Sequence, residues 1–374
     1  MVPNLRFNNN PYKKYNLYEF ATRVTRKNKD NVSNLPLTIS AQYGLVDQVS
    51  FFNKTVASKD MSGYYLLKNG EFAYNKSYSN DYPWGAIKRL DLYNMGCLST
   101  LYICFKSNDN IVNSNYLVHY FESPKWHKQV ADIAGEGARN HGLLNIAVND
   151  FFNTKHAVPT IENQIKIARF LDLIEERIQT QIKIIDDYNS LKMEIYNCMF
   201  KENYADYKLK QLAYIVKGDQ INNDQLLSNG SYYMMNGGAS PSGYLDSYNV
   251  SENTISISEG GNSCGYVQFN SSPFWSGGHC YTIQNVNSAL IENKYLYHYL
   301  KYKEKEIMNL RIGTGLPNIQ KKDLENFTIL VPSLLIQRKN LALFEMLDEK
   351  ISILNEELAN LQKQKKYLLC NMFI

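Results

Sequence analysis

Val158–Ile178 is "VPTIENQIKIARFLDLIEERI", and Val331–Ile351 is "VPSLLIQRKNLALFEMLDEKI". The two stretches lie 173 residues apart in a chain of 374. Their correspondence runs without a gap from Gly142–Phe200 to Gly315–Phe373. Matches include Gly142/Gly315, Leu143/Leu316, Asn145/Asn318, Ile146/Ile319, Val158/Val331, Pro159/Pro332, Gln164/Gln337, Ile178/Ile351 and the closing Met199-Phe200/Met372-Phe373. A fold with one core has no need of an internal copy. The register therefore marks a duplicated unit with a long dissimilar segment ahead of each copy.

Within each copy, Val-Pro predicts an extended residue followed by a helix, since proline drives its predecessor out of the helical region and suits a first helical turn. Apolar residues then recur with a period of seven. In the second copy the positions are Leu347, Ile351, Leu354, Leu358, Leu361, Lys365, Leu368 and Met372; in the first they are Ile174, Ile178, Gln181, Ile185, Tyr188, Lys192, Ile195 and Met199. A stripe this narrow predicts a coiled coil rather than a globular helix. Residues 201–330 separate the helices, and the ends of a compact domain lie close together, so the pair should run antiparallel with an internal pseudo-twofold axis. The simplest register layers Ile174 with Met372, Gln181 with Lys365 and Tyr188 with Leu358, the polar layer serving to penalise slipped pairings. From Ile174 to Met199 such a helix rises roughly 38 Å. That is close to the turn of about 34–36 Å over which symmetric DNA readers place their two heads.

The expected organisation is therefore α+β with two globular domains and a pair of long antiparallel coiled-coil helices. Residues 1–157 form a first globular domain, 158–202 a first long helix, 203–330 a second domain and 331–374 a second long helix. No run of 18 apolar residues occurs and the first residues lack a signal-peptide core, which predicts a soluble cytoplasmic protein with no membrane partner. The six cysteines are scattered without a C-x-x-C pair, which fits reduced thiols rather than a disulfide framework or a zinc site.

Charge is unevenly spread. Residues 1–157 hold 18 Lys+Arg against 12 Asp+Glu, a net of +6, whereas residues 201–330 hold 11 against 12, a net of −1. The first segment is suited to phosphates; the second has no basic excess. In the first, "YNKSYSNDYPWGAIKRL" supplies Lys76, Tyr78, Asn80, Trp84, Lys88 and Arg89 as candidate DNA contacts. In the second, "MMNGGASPSGYLDSYN" and "SEGGNSCGYVQFNSSPFWSGGHCY" supply Asn236, Ser240, Asn262 and Trp275. Lys and Arg reach phosphates or guanine, Asn pairs with adenine, and glycine lets the backbone approach a ligand. The same stretches also suit hairpin turns with polar decoration. "ARNHGLLNI" (138–146) and "RIGTGLPNI" (311–319) lead into the two copies and add Arg139, Arg311 and Thr314, with a glycine-ended helix C-cap as the equal alternative.

Catalytic motifs are missing: no P-loop, no G-x-G-x-x-G after a strand, no Asn/Asp-Pro-Pro-aromatic segment, and no metal spacing among the six histidines. The chain has the makings of a binder without chemistry of its own.

With its alternation of variable segments and duplicated helices, and with "VPNLRF" (2–7), "YPWGAIKRL" (82–90), "NGGASPSGYLDSYN" (236–249) and the closing "CMF" and "NMF", the chain resembles the specificity (S) subunit of type I restriction–modification systems. The resemblance spans essentially the whole chain and rests on the duplicated layout more than on any short motif. It implies two target recognition domains that read the halves of a bipartite site on double-stranded DNA. It also implies two adenine methyltransferase (M) subunits as partners, which carry S-adenosylmethionine, and restriction (R) subunits; no cofactor is implied in this chain. One departure is that the second copy has "SLLIQ" (333–337) where the first has "TIENQ" (160–164), with no acidic residue, which bears on whether both helices hold a partner equally. The competing possibility is a coiled-coil scaffold that joins two protein-binding domains without DNA.

Overall fold

The computed structural model describes residues 12–40, 43–77, 82–134, 142–200, 204–313, 315 and 317–373. The chain divides into two compact units, Met1–Gln181 with Glu357–Ile374, and Ile182–Glu356. The division cuts each long helix near its middle rather than at its ends. Each half-helix packs into a globular core, so it belongs to that core by contact.

In unit 1 a four-stranded antiparallel sheet has the order Ala21–Arg23, Ile103–Ser107, Phe72–Asn75, Ala86–Arg89. Unit 2 repeats this arrangement with Tyr214–Lys217, Cys280–Gln284, Thr254–Ser258 and Val267–Asn270. The dissimilar segments thus share a sheet plan. β-Branched and aromatic side chains account for the strands, and the core strand Cys280–Gln284 is buried at four of its five residues. The sheet of unit 1 packs its aromatics closely, with Phe72 stacked on Phe105 at 5.3 Å and Tyr74 on Phe151 at 5.0 Å.

Each unit is closed by a two-stranded antiparallel ribbon that joins its first strand to its last: Lys13–Asn16 with Lys155–Val158, and Ala205–Lys208 with Thr328–Val331. One-turn helices follow the first strands, Leu17–Phe20 and Leu209–Leu212, with both apolar ends of each buried. Their starts are capped alike. The Asn16 N–H donates to Glu19 Oε2 and the Lys208 N–H to Gln211 Oε1, both at 2.6 Å.

Val158 and Val331 end the ribbons, the prolines follow, and the long helices Ile161–Met199 and Leu334–Asn371 begin. At 39 residues the first is about 58 Å long, more than its seam requires. The excess is core: Ile167, Ala168 and Leu171 are buried in unit 1, and Phe344 is buried in unit 2. Beyond that the seam residues are buried (Ile178, Ile185, Leu347, Leu354, Leu361, Leu368, Met372) or half-buried (Ile174, Gln181, Tyr188, Lys192, Ile195, Met199, Ile351, Leu358, Lys365).

The polar register differs from the simple expectation. Gln181 and Lys365 do not share a layer: Lys365 Nζ lies 2.6 Å from Glu175 Oε2, and Gln181 Nε2 donates to Glu357 Oε2 at 3.1 Å. In unit 2 Lys192 pairs with Asp348. An ammonium gains more from a carboxylate than from a neutral amide, so each seam lysine settles beside an acid on the facing helix. The contacts Glu175–Lys365 in unit 1 and Lys192–Asp348 in unit 2 bring opposite ends of the two helices together, which makes the pairing antiparallel in each unit. The two ion pairs are equivalent under the 173-residue shift.

Candidate nucleic-acid interface

The duplicated glutamine ties each variable domain to its helix. Gln164 is fully buried; its Oε1 accepts the Asn113 N–H at 2.7 Å, and its Nε2 donates to Pro159 O at 2.8 Å and Ile111 O at 3.2 Å. Gln337, also fully buried, accepts the Glu292 N–H at 2.8 Å and donates to Pro332 O at 2.8 Å and Leu290 O at 2.9 Å. In both units the contact grips the start of a domain helix, Ser114–Glu122 or Asn293–Tyr302. A buried amide satisfied on both sides is a rigid joint.

Those two domain helices carry a second internal match that the seam reading missed, Tyr116-Leu117-Val118-His119-Tyr120 against Tyr295-Leu296-Tyr297-His298-Tyr299. The signal was a pentapeptide at a shift of 179, outside the ungapped register. Both histidines are buried but wired differently. His119 Nε2 meets Asp172 Oδ1 at 2.7 Å, whereas His298 Nδ1 meets the Tyr196 hydroxyl at 2.8 Å. Burial lowers the His119 pKa against the opposing pull of Asp172. Burial, reinforced by the Lys192 charge, pushes His298 down to about 3. These imidazoles fasten helices together.

In unit 1 two of the cationic candidates are engaged within the domain. Lys88 forms an ion pair with Glu122, and both side chains are largely buried. Arg89 donates to Asp91 Oδ1 at 2.6 Å, Asn115 Oδ1 at 2.7 Å and Ser114 Oγ at 2.9 Å. In this structure both side chains hold the sheet to its helix through these contacts. Trp84 is half-buried against the core, and its carbonyl accepts the Tyr74 hydroxyl at 2.8 Å. The glycine after it is obligatory, because a Cβ on Gly85 would lie 2.2 Å from Asn75 O. Lys76 leaves the sheet beside the lead-in to the first copy: the Leu144 N–H donates to Lys76 O at 2.9 Å, and Ser77 bridges to Leu143. Tyr78, Asn80 and Arg139 lie outside the described residues, as does Thr314 in unit 2.

In unit 2 the loops at one end of the sheet converge. Asp219 bridges to Gly277, and Gly260 to Asn318. Ile312 and Asn318 exchange mutual backbone bonds of 2.8 and 3.0 Å. Ser240, Asn262, His279 and Arg311 are exposed on these loops. Asn236 is half-buried with its Oδ1 occupied by the His279 N–H at 2.9 Å, and Trp275 is half-buried with Nε1 3.4 Å from Asp219 O. Asn236 and Trp275 therefore brace the loops, while the exposed polar side chains form their outer surface. Both lead-in segments, distant in sequence from the loops they meet, end beside the first residue after a central strand.

Among the described residues no cluster of three or more His, Cys, Asp and Glu forms a metal site, and no helix is long and apolar enough to cross a membrane. Burial pushes the Cys104 thiol up to about 12 and Cys280 up to about 11, so neither is a thiolate near neutrality.

Comparison with known proteins matches residues 201–363 to the type I restriction modification DNA specificity domain. A putative type I specificity subunit of Mycoplasma pneumoniae is 34% identical over 155 residues, which are 41% of each chain. One from Mycoplasma genitalium is 32% identical over 127 residues, 34% of this chain and 33% of the relative. Each match thus spans well under half of the curated relative. At the level of fold, the crystal structure of a type I restriction–modification S subunit from M. genitalium superposes with a TM-score of 0.62 at 19% identity, covering 100% of this chain and 99% of that one. The scaffold alternative finds no support among these relatives. The second half of the chain thus matches the specificity domain, part of its length is similar to putative type I specificity subunits, and its fold is that of an S subunit throughout.

Proposed function

We propose that this chain is the non-catalytic DNA-reading subunit of a cytoplasmic restriction–modification complex. Each unit reads one half of a bipartite site on double-stranded DNA. The duplicated helices recruit two adenine methyltransferase subunits, which carry S-adenosylmethionine, and restriction subunits join the same assembly. The observation that carries this reading is the repeated joint. Two domains of different sequence share one sheet order, and each is held to its copy of the helix by the same three-bond glutamine, so the loops vary on a constant mount. Exposed Asn, Ser and Arg side chains on glycine-bearing loops suit base edges and phosphates.

Co-expression with an adenine methyltransferase (M) subunit from the same genome, followed by mapping of methyladenine in the host DNA, tests the proposal. Two short specified blocks separated by unspecified bases are expected. A stable complex that adds no sequence-specific methylation would overturn it. Binding of the assembled complex should also weaken steeply between low and physiological salt, because neutralised phosphates release counterions.

A further inference from the structure

We infer that His279 reads a base edge in the half-site of unit 2 and that Glu259 is the positioning residue that fixes its ring. This deepens the proposed DNA-reading role and rests on it. Glu259 is the first residue after the central strand Thr254–Ser258, and it is only 8% exposed. Its Oε2 lies 3.1 Å from His279 Nδ1, and its Oε1 accepts from Lys217 Nζ at 2.5 Å and from the Tyr281 hydroxyl at 3.4 Å. The Tyr281 hydroxyl also lies 3.2 Å from Ile319 O, in the lead-in to the second helix. One carboxylate thus joins the two strands on one side of it, Tyr214–Lys217 and Cys280–Gln284, to the loop surface.

The His279 backbone is equally confined. Its carbonyl accepts the Glu259 N–H at 2.9 Å and its own N–H donates to Asn236 Oδ1 at 2.9 Å. A Cβ on Gly237 would lie 3.2 Å from His279 Cβ, and one on Gly278 would lie 2.3 Å from Gln220 Oε1. With its root fixed on every side, the side chain is nonetheless 61% exposed. A carboxylate only accepts, so Nδ1 carries the proton that faces Glu259. The outer nitrogen, Nε2, is left to the solvent side. A neutral ring presents there an acceptor suited to the exocyclic amino group of adenine or cytosine; a protonated ring presents a donor suited to guanine. A fixed side chain with one free hydrogen-bonding atom can discriminate bases, whereas a freely rotating one cannot.

The experiment maps methylation by the full complex carrying the wild-type chain, H279A, E259Q and the double variant. His279→Ala should relax one position in one block of the recognised site by about tenfold, leaving the other block unchanged. Glu259→Gln should relax the same position, and the double variant no further, since both act through one ring. Full discrimination by His279→Ala at every position would overturn the inference while the DNA-reading role stands. Loss of methylation at all sites equally in Glu259→Gln, with His279→Ala unchanged, would make Glu259 structural only and would likewise overturn it. A wild-type complex with no recognised sequence would remove the underlying reading instead.

Discussion

Lys76 and Glu259 occupy the same place in the two units and carry opposite charges. Each is the first residue after the corresponding central strand, and each offers its carbonyl to the lead-in segment, Lys76 to the Leu144 N–H and Glu259 to the Ile319 N–H, both at 2.9 Å. The backbone contact is common to both; the side chain is free to differ. That difference is the local form of the net +6 in residues 1–157 against −1 in residues 201–330. Main-chain bonds and buried amides maintain the mount, because any change there leaves unpaired polar groups. Loop side chains vary at little structural cost, which lets the two units present different surfaces on one mount.

The comparison can be broken most severely at the mount. Gln164→Leu and Gln337→Leu each leave one N–H and two carbonyls unpaired in the interior, and each should cost about 3–4 kcal/mol in urea unfolding. The two losses should agree within about 1 kcal/mol if the joints are equivalent. A large loss at one and none at the other would show that the duplication is not functional in both.

Next in size is an acid response that separates the matched histidines. His298 stays neutral in the native fold down to about 3, while an unfolded histidine protonates near 6.5. Its contribution is therefore complete above pH 6.5 and is lost as pH falls toward the native value, at about 1.4 kcal/mol per pH unit. Unfolding free energies measured from pH 7 to 4.5 should fall less steeply in His298→Gln than in the parent. His119→Gln should change the slope less, because Asp172 offsets the burial that disfavours the charged ring. His156, held at about 4 by burial, adds a slope of its own in unit 1 that neither variant removes.

Smaller again are the seam ion pairs. Lys192→Met and Lys365→Met should each shift stability by about 1 kcal/mol, since their acidic partners are partly solvated. Burial raises the Glu175 pKa, but hydrogen bonds from Lys365 and Gln179 outweigh it and hold the carboxyl below its usual 4.5. That pair therefore stabilises the fold above pH 4.5 and is lost as pH drops through the native value, so the Lys365→Met variant should lose less stability on acidification over that range. The smallest effect is expected at the loop surface: His279→Ala should leave thermal stability within about 0.5 kcal/mol of the parent. A larger loss would mean that the exposed ring braces the fold.

Much of this architecture was legible in the chain. Gly142–Phe200 and Gly315–Phe373 announced the duplication, and the seven-residue period announced paired helices. Gln164/Gln337 was visible only as a match; its three-bond joint depends on carbonyls at Ile111 and Leu290, some fifty residues away, which no local pattern specifies. Among the site candidates, Lys88 and Arg89 have the chemistry for phosphate, but their pairing with Glu122, Asp91 and Asn115 was not legible in the sequence, because those partners come together only in the fold. His279 and Glu259 went unnoticed because neither is informative alone; only the convergence of a strand end and a distant loop makes them a pair.

Sequence alone determined the duplicated plan, the helical seam and the placement of variable loops ahead of each copy, because hydrophobic periodicity and self-similarity are properties of the chain itself. The tertiary structure alone decided which charges meet. Lys365 sits beside Glu175 and not Gln181, and Lys192 beside Asp348, because ionic partners are chosen by charge and reach once packing has brought the helices together. The same holds for the shared sheet order of two domains whose sequences do not align: backbone pairing depends on hydrogen bonds that every residue but proline can make in full, so very different side chains can build one sheet.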